Sequence, residues 1–294
     1  MRKFWALVVL LCITWGAQAQ LLWKVSGNGL KEPSYVIGTH HLAPITILNE
    51  IEGWKAALES VDQVYGELVF DDMMEPENMA RMQQASLMPV GKTLSSLYTA
   101  EEYAEMGKIV KELIGMDIRM LDGAKPAFVS TQVALVVAMK TIEGFNPQVQ
   151  LDGWIQHEGK RLGKAIGGME TVAFQADMLF GTQSLERQAE QLYYTLTHLE
   201  RTEDQAKRLT AAYMAQDIEA MGAIMDEKTG NAGDPLPEEE DALIYNRNTQ
   251  WAKELPQLMS EHATLLAVGA GHLPGERGLL QLLRNAGYTI EAVR

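Results

Sequence analysis

The sequence predicts an α/β fold: a small, mostly parallel sheet surrounded by many helices, with a large helical section in the middle. Three observations carry this. Two short apolar runs near the chain's two ends, 34–37 and 264–268, each pass into glycine and then histidine, as Gly38-Thr39-His40-His41 and Gly269-Ala270-Gly271-His272. The stretch 34–68 reads strand, helix, strand, a βαβ opening whose right-handed crossover makes the two strands parallel. The 294 residues are 47% hydrophobic and 22% charged, the composition of a globular chain able to bury a sizeable core. If the two histidine-bearing runs are neighbouring parallel strands, both imidazoles emerge where open α/β sheets place their ligands.

In order along the chain, residues 1–19 read as a secretory signal peptide. Arg2-Lys3 form a basic start, 4–15 an apolar stretch too short for a bilayer span, and Ala17-Gln18-Ala19 a small-x-small cleavage pattern. The expectation is an exported chain, periplasmic or extracellular, with one domain over 20–294 and no stable membrane span. Cleavage removes Cys12, the one cysteine, so no disulfide can form and any metal site must use His, Asp or Glu. It also removes Arg2 and Lys3, leaving 23 basic against 39 acidic residues, a formal −16. Such a surface repels nucleic acid and anionic lipid.

Residues 21–25, the turn Gly27-Asn28-Gly29 and 34–38 read as a hairpin. Residues 47–61 have helical spacing, with Ile51, Trp54, Leu58 and Val61 on one face, and 63–68 is the next strand. A helical insertion covers about 75–145, cut by Pro89, Gly91 and the 123–126 junction. Its apolar stretch 128–142 is too short to span a bilayer and includes Lys140, so it reads as a buried helix. Asp152 suits the N-cap of a helix to about 162, and 164–170 reads as a third strand ending in Glu170. Helices fill 171–227. An acidic helix start at 238–241 leads through Arg247 to an end near Pro256. A strand at 263–268, a helix at 276–286 and a strand at 288–293 close the chain.

Four strands thus end in polar residues: His40/His41, Glu67, Glu170 and His272. Two histidines and a glutamate are a recurrent ligand set for a Zn, Mn or Fe site with an open position. Such a metal lowers the pKa of bound water from about 15.7 toward 7 and polarises a carbonyl. The other carboxylate then moves protons or fixes an imidazole tautomer. Each residue also has a structural reading. Glu67 could be a cap or a salt-bridged acid, Glu170 a first-turn acid of the following helix, and His40 either a third ligand or a solvent-facing neighbour. There is no His-Glu-x-x-His, no Gly-x-Ser-x-Gly elbow and no phosphate loop.

At these residues the chain resembles the TraB/PrgY/GumN family, which includes the TIKI metalloproteases, and more distantly the erythromycin-esterase and ChaN-like proteins. The matching stretches are Tyr35-Val36-Ile37-Gly38-Thr39-His40-His41-Leu42, Val64-Tyr65-Gly66-Glu67-Leu68, and Leu151-Asp152 ahead of Gly167-Gly168-Met169-Glu170-Thr171. Arg247-Asn248, Val268-Gly269-Ala270-Gly271-His272-Leu273-Pro274-Gly275, and Gly278-Leu279-Leu280 followed by Gly287-Tyr288 complete the set. The resemblance implies that His41 and His272 are the motif histidines, Glu67 the site acid and Arg247 the site arginine. Many relatives carry an aliphatic residue at position 40, so His40 departs from the pattern.

The expectation is a metal-dependent hydrolase, with a peptidase as one form of it, and with Mn, Co or Zn on His41, His272 and Glu67. Glu67 or Glu170 would move protons, and Arg247 would steady negative charge or bind a substrate carboxylate. His40, Asp152 and Asn248 are further candidates. The substrate is a peptide or a small molecule. The rival readings are a non-catalytic binder of a peptide, polysaccharide fragment or haem, and a small-molecule esterase.

Overall fold

The computed structural model describes residues 20–294, so the signal peptide expected at 1–19 lies outside the described residues. Strands β1 (Leu22–Gly27) and β2 (Ser34–Thr39) form the expected antiparallel hairpin. Its turn holds Gly27, Asn28 and Gly29 at φ of 80°, 47° and 83°, left-handed conformations that favour glycine and asparagine. With β3 (Gln63–Gly66), β4 (Ala165–Gly168), β5 (Thr264–Gly269) and β6 (Tyr288–Ala292) they build a six-stranded sheet, ordered β4-β3-β5-β2-β1-β6. The four strands β4, β3, β5 and β2 are parallel, and β1 and β6 form an antiparallel edge. β5 is almost wholly buried, as an apolar strand covered on both faces must be.

The register decides where the chemistry lies. Gly38 pairs with Val268 and Thr39 with Gly269, so the two Gly-x-x-His motifs leave the sheet side by side. β3 flanks β5 on its other side and β4 flanks β3, so Glu67 and Glu170 follow at the same edge. Both carboxylates sit in turns just beyond strands that end at Gly66 and Gly168, two residues short of the ends at 68 and 170 that the sequence implies. The two turns are tied together: Met169 N–H donates to Gly66 O (3.0 Å) and Glu170 N–H to Glu67 O (2.8 Å).

The motifs pack so closely that Gly38 has no room for a side chain. A Cβ there would lie 2.9 Å from Leu273 Cδ1, 3.1 Å from Ala270 Cβ and 3.2 Å from Ala270 Cα. Gly38→Ala therefore pushes the two motif turns apart and costs about 1–3 kcal/mol, the usual penalty of overpacking. Urea unfolding checks this; an unchanged midpoint contradicts the packing.

The helices are α1 (Trp54–Ser60), α2 (Pro76–Ser86), α3 (Ala100–Ile114), α4 (Pro126–Thr141), α5 (Leu151–Arg161), α6 (Val172–Gly181) and α7 (Leu185–Thr197). They continue as α8 (Leu199–Met214), α9 (Ile218–Met225), α10 (Pro237–Glu240), α11 (Asn246–Glu261) and α12 (Leu279–Asn285). One buried cluster surrounds the sheet, and a second joins Leu94, Met106, Val110, Val129, Val133 and Leu192 within α3, α4, α7 and their connections. Among the described residues no helix is long and apolar enough to cross a membrane.

Three elements depart from the sequence reading. The helix over 47–61 is split into a 3-10 turn (Ile45–Asn49) and α1, because Gly53 takes a left-handed φ of 73°. Helix α11 runs through Pro256 instead of ending near it. Trp251, Leu255 and Met259 line one buried stripe at i, i+4 and i+8, and that packing outweighs the roughly 3 kcal/mol cost of an interior proline. Asp152 is not a cap; Gln150 holds that position, and Asp152 lies in the first turn of α5 with its carboxylate turned to β2.

Candidate functional site

The pair His40-His41 divides its work at once. His40 turns inward against α8, where Nε2 meets Thr210 Oγ1 at 3.2 Å and the ring tilts on Tyr213 with centroids 5.4 Å apart. Burial, then the neighbouring His41, pushes its pKa down to about 4, so it is a neutral packing residue. Tyr213 in turn donates to Gly38 O at 2.9 Å and fixes the end of β2. His41 instead faces the sheet edge. Its Nδ1 lies 2.9 Å from Asp152 Oδ2, and Asp152 Oδ1 accepts from Thr39 Oγ1 at 2.6 Å.

The His41 side chain is 61% exposed, open to water at the sheet edge. The Asp152 charge raises its pKa to about 9 despite desolvation. Asp152 is opposed by burial but held below the usual carboxylate range by the His41 charge and by hydrogen bonds from His41 and Thr39. With Nδ1 taken by Asp152, Nε2 is the nitrogen left for a ligand.

His272 is set differently. Asn248, on the first turn of α11, donates its amide nitrogen to two carbonyls, His272 O (3.1 Å) and Arg277 O (3.0 Å). That orientation leaves Asn248 Oδ1 facing His272 Nδ1 at 2.7 Å, so Nδ1 carries the hydrogen and Nε2 the lone pair. Burial pushes the pKa of His272 down to about 4, and the ring is neutral at pH 7. Its Nε2 points into the site, 3.8 Å from Glu67 Oε1 and 3.1 Å from Arg247 Nη1.

Glu67 Oε1 accepts from Gly269 N–H at 2.9 Å, and Oε2 accepts from Arg247 Nη2 at 2.5 Å and Gln175 Nε2 at 3.3 Å. Burial opposes its charge; His272, Arg247 and the Gly269 N–H together hold it below the usual range. Since His272 is uncharged at neutral pH, the positive charge comes from Arg247 and, more weakly, from His41.

Arg247 is the hub. Nε donates to Glu170 Oε1 (2.7 Å), Nη1 to Leu243 O (2.9 Å) and His272 Nε2 (3.1 Å), and Nη2 to Glu67 Oε2 and Glu170 Oε2 (2.9 Å). The acceptor Leu243 O belongs to a π-helical turn (Asp241–Tyr245) just before α11, where Asn246 N–H reaches back to Asp241 O. Such turns interrupt the ordinary helical ladder and gather at functional sites.

All five N–H bonds of Arg247 are therefore engaged within the protein. In this arrangement Arg247 ties Glu67, Glu170 and His272 together, and none of its N–H groups is left without a partner in the protein. Its ion pairs are with those two distant carboxylates, not with the acids at 238–241. Glu170 is equally committed, accepting also from Trp251 Nε1 (3.1 Å) and Gln175 Nε2 (3.1 Å), so it anchors the arginine and has little capacity left to move protons.

The sheet edge thus brings together His41, Asp152, Glu67, Glu170, Arg247, Asn248 and His272, and sends His40 elsewhere. Thr39, Gln175 and Trp251 belong to the same network without being singled out by the sequence. Trp251 had a signal, standing four residues after Arg247 on one helical face. His198, by contrast, stacks on Tyr194 with centroids 4.1 Å apart, and His262 pairs loosely with Asp62.

Among the described residues no group of three or more His, Cys, Asp or Glu side chains is gathered closely enough to hold a metal ion, so His41, Glu67 and His272 would have to draw together to share one. Their donor chemistry nonetheless suits one. His272 offers an unprotonated Nε2, Glu67 a carboxylate beside it, His41 a second imidazole, and the inner cluster sets two carboxylates against one guanidinium. One contact must yield: a cation on His272 Nε2 takes the place of the Arg247 Nη1 hydrogen bond.

The chain is similar to Metalloprotease TIKI2 of Danio rerio, with 25% identity over 322 residues that cover 92% of this chain and 60% of that protein. The chain thus spans about 60% of that relative's length. No solved structure matches it. The sequence model of the TraB/PrgY/gumN family matches residues 21–292, nearly every residue described above, and the chain belongs to that family.

Proposed function

We propose that this chain is an exported metal-dependent hydrolase acting on peptides, with His41, Glu67 and His272 as ligands of one divalent cation, Mn, Co or Zn. The observation that carries the reading is the His272 lone pair, fixed by Asn248 and held 3.8 Å from the Glu67 carboxylate, at the sheet edge where the motif bearing His41 also emerges. Both histidines are bonded to side chains placed to set their tautomers, an outer-shell arrangement typical of metal-bound imidazoles. The similarity to a metalloprotease supports the peptide as substrate class.

When bound, such a cation polarises a carbonyl and lowers the pKa of water toward about 7. The chain's own residues do the rest. Asp152 orients His41, Asn248 orients His272, and Arg247 with Gln175 holds Glu67 in its ionised form. Glu67, which accepts three hydrogen bonds where Glu170 accepts four, is the carboxylate with capacity left to take or give a proton.

The test is cleavage of a mixture of unlabelled peptides by the mature chain, with new amino termini read by mass spectrometry. Chelator abolishes cleavage, added Mn, Co or Zn restores it, and Glu67→Gln removes it. Cleavage unaffected by chelator, or absent with every cation, contradicts the reading. Export is part of the proposal, supported by the leader-like residues 1–19; a secreted chain beginning at Gln20 is the expected product.

A further inference from the structure

The groove beside Glu170 and Arg247 points to a second element of recognition: we propose that it is a subsite for an aromatic side chain of the substrate peptide. This rests on the peptide-hydrolase reading above. The cavity holds about 850 Å³ and lies between α6 and the start of α11. Small-molecule sites commonly fall between about 300 and 1,000 Å³. Its walls are Met169, Phe174 and Met178 on one side and Ala242 and Trp251 on the other.

Two features make it continuous with the candidate active site. Arg247 lines the groove while donating to Glu67 and His272 on its inner side, and Glu170 lines it while accepting from Arg247. Trp251 lines the groove, yet its ring also tilts against His272 with centroids 4.6 Å apart. The turn carrying Glu170 is bonded to the turn carrying Glu67. A peptide lying along the sheet edge, with a carbonyl at Glu67 and His272, advances about 3.3–3.6 Å per residue toward this groove.

The lining also selects the occupant. Its charged groups are already paired: Glu170 with Arg247, and Asp177 with Arg81 through two bonds of 3.0 and 2.7 Å. A charged side chain entering there finds no free counter-charge and loses its hydration, so the groove favours a neutral one. The half-buried Met169 thioether and the exposed Phe174 ring suit a flat ring, through sulfur–aromatic and edge-to-face contacts, above a floor that includes the buried Met178 and Trp251. Phe174 stands 48% exposed, a large apolar surface that a bound ring would cover.

The experiment compares two fluorescein-labelled pentapeptides that differ only in a central Phe or Ala. Binding to the mature chain is read by anisotropy, once with chelator and once with added cation. The Phe peptide is expected to bind at least tenfold more tightly in both conditions. Phe174→Ser, an exposed change that leaves the core intact, and Ala242→Trp, which fills the groove, each reduce that preference to less than threefold. Equal binding of the two peptides, no binding of either, or a preference that survives both variants overturns the proposal. If the preference is present but neither peptide is cut with any cation, the hydrolase reading fails and the subsite stands.

Discussion

Replacing Arg247 by methionine is expected to cost the fold about 3–5 kcal/mol, the usual penalty for removing one partner of a buried charge cluster. Methionine keeps much of the apolar stem but removes five hydrogen bonds and the one cation between Glu67 and Glu170. Both carboxylates, with side chains 14% and 7% exposed, are left facing one another. Arg247→Lys keeps the charge but cannot reproduce a planar fork that serves two carboxylates, a carbonyl and an imidazole at once.

The pH dependence has a definite sign. Glu67 is depressed in the folded wild type, so its contribution is present above its unfolded value of about 4.3 and fades as pH falls through the folded value. In Arg247→Met the two facing carboxylates resist ionising, so their penalty is relieved as they protonate, and the gap to wild type narrows as pH falls from 7 toward 4. Urea unfolding at pH 7 and pH 4 measures both effects. A loss below about 1 kcal/mol at pH 7 removes the arginine from the centre of the network.

The second large effect concerns the affinity for a cation. A metal on His41 must displace a proton, since Asp152 raises that imidazole to about 9. His272, pushed down to about 4 by burial, has already lost its proton and adds nothing to the dependence near neutrality. One proton released per cation means affinity that climbs about tenfold per pH unit between pH 7 and 9. In Asp152→Asn the proton on His41 loses its counter-charge and its pKa falls back toward its ordinary value, so the curve flattens above pH 7. A zinc titration at several pH values reads the slopes directly. Equal slopes in the two proteins show that Asp152 does not govern the proton on His41.

Much of this site was legible before any coordinates, for a physical reason. Strands that end in glycine and then a titratable residue expose it at the sheet edge, and 34–41 and 264–272 both do so. The sheet register then places the two motifs side by side. Helix and strand identities followed from periodicity, but their ends did not. Gly53, Pro256 and the π-helical turn before α11 changed those ends through local backbone geometry and tertiary packing.

Two things about the side chains were not legible. Which of His40 and His41 faces the site depends on Thr210 and Tyr213 of α8, about 170 residues away, which give His40 a place to pack. That Arg247 is saturated depends on the turns after β3, β4 and β5 meeting its guanidinium simultaneously, which no spacing in the sequence records. Gln175 was invisible for the same reason, since its two carboxylate partners come from different turns.

The central claim is that His41, Glu67 and His272 form one metal site, and calorimetric titration of Zn, Mn or Co into the chelator-stripped mature chain tests it most directly. The account predicts one cation bound per chain, with affinity at least a hundredfold weaker in His41→Ala, Glu67→Gln and His272→Ala. Variants that bind the cation as tightly as the parent would contradict it.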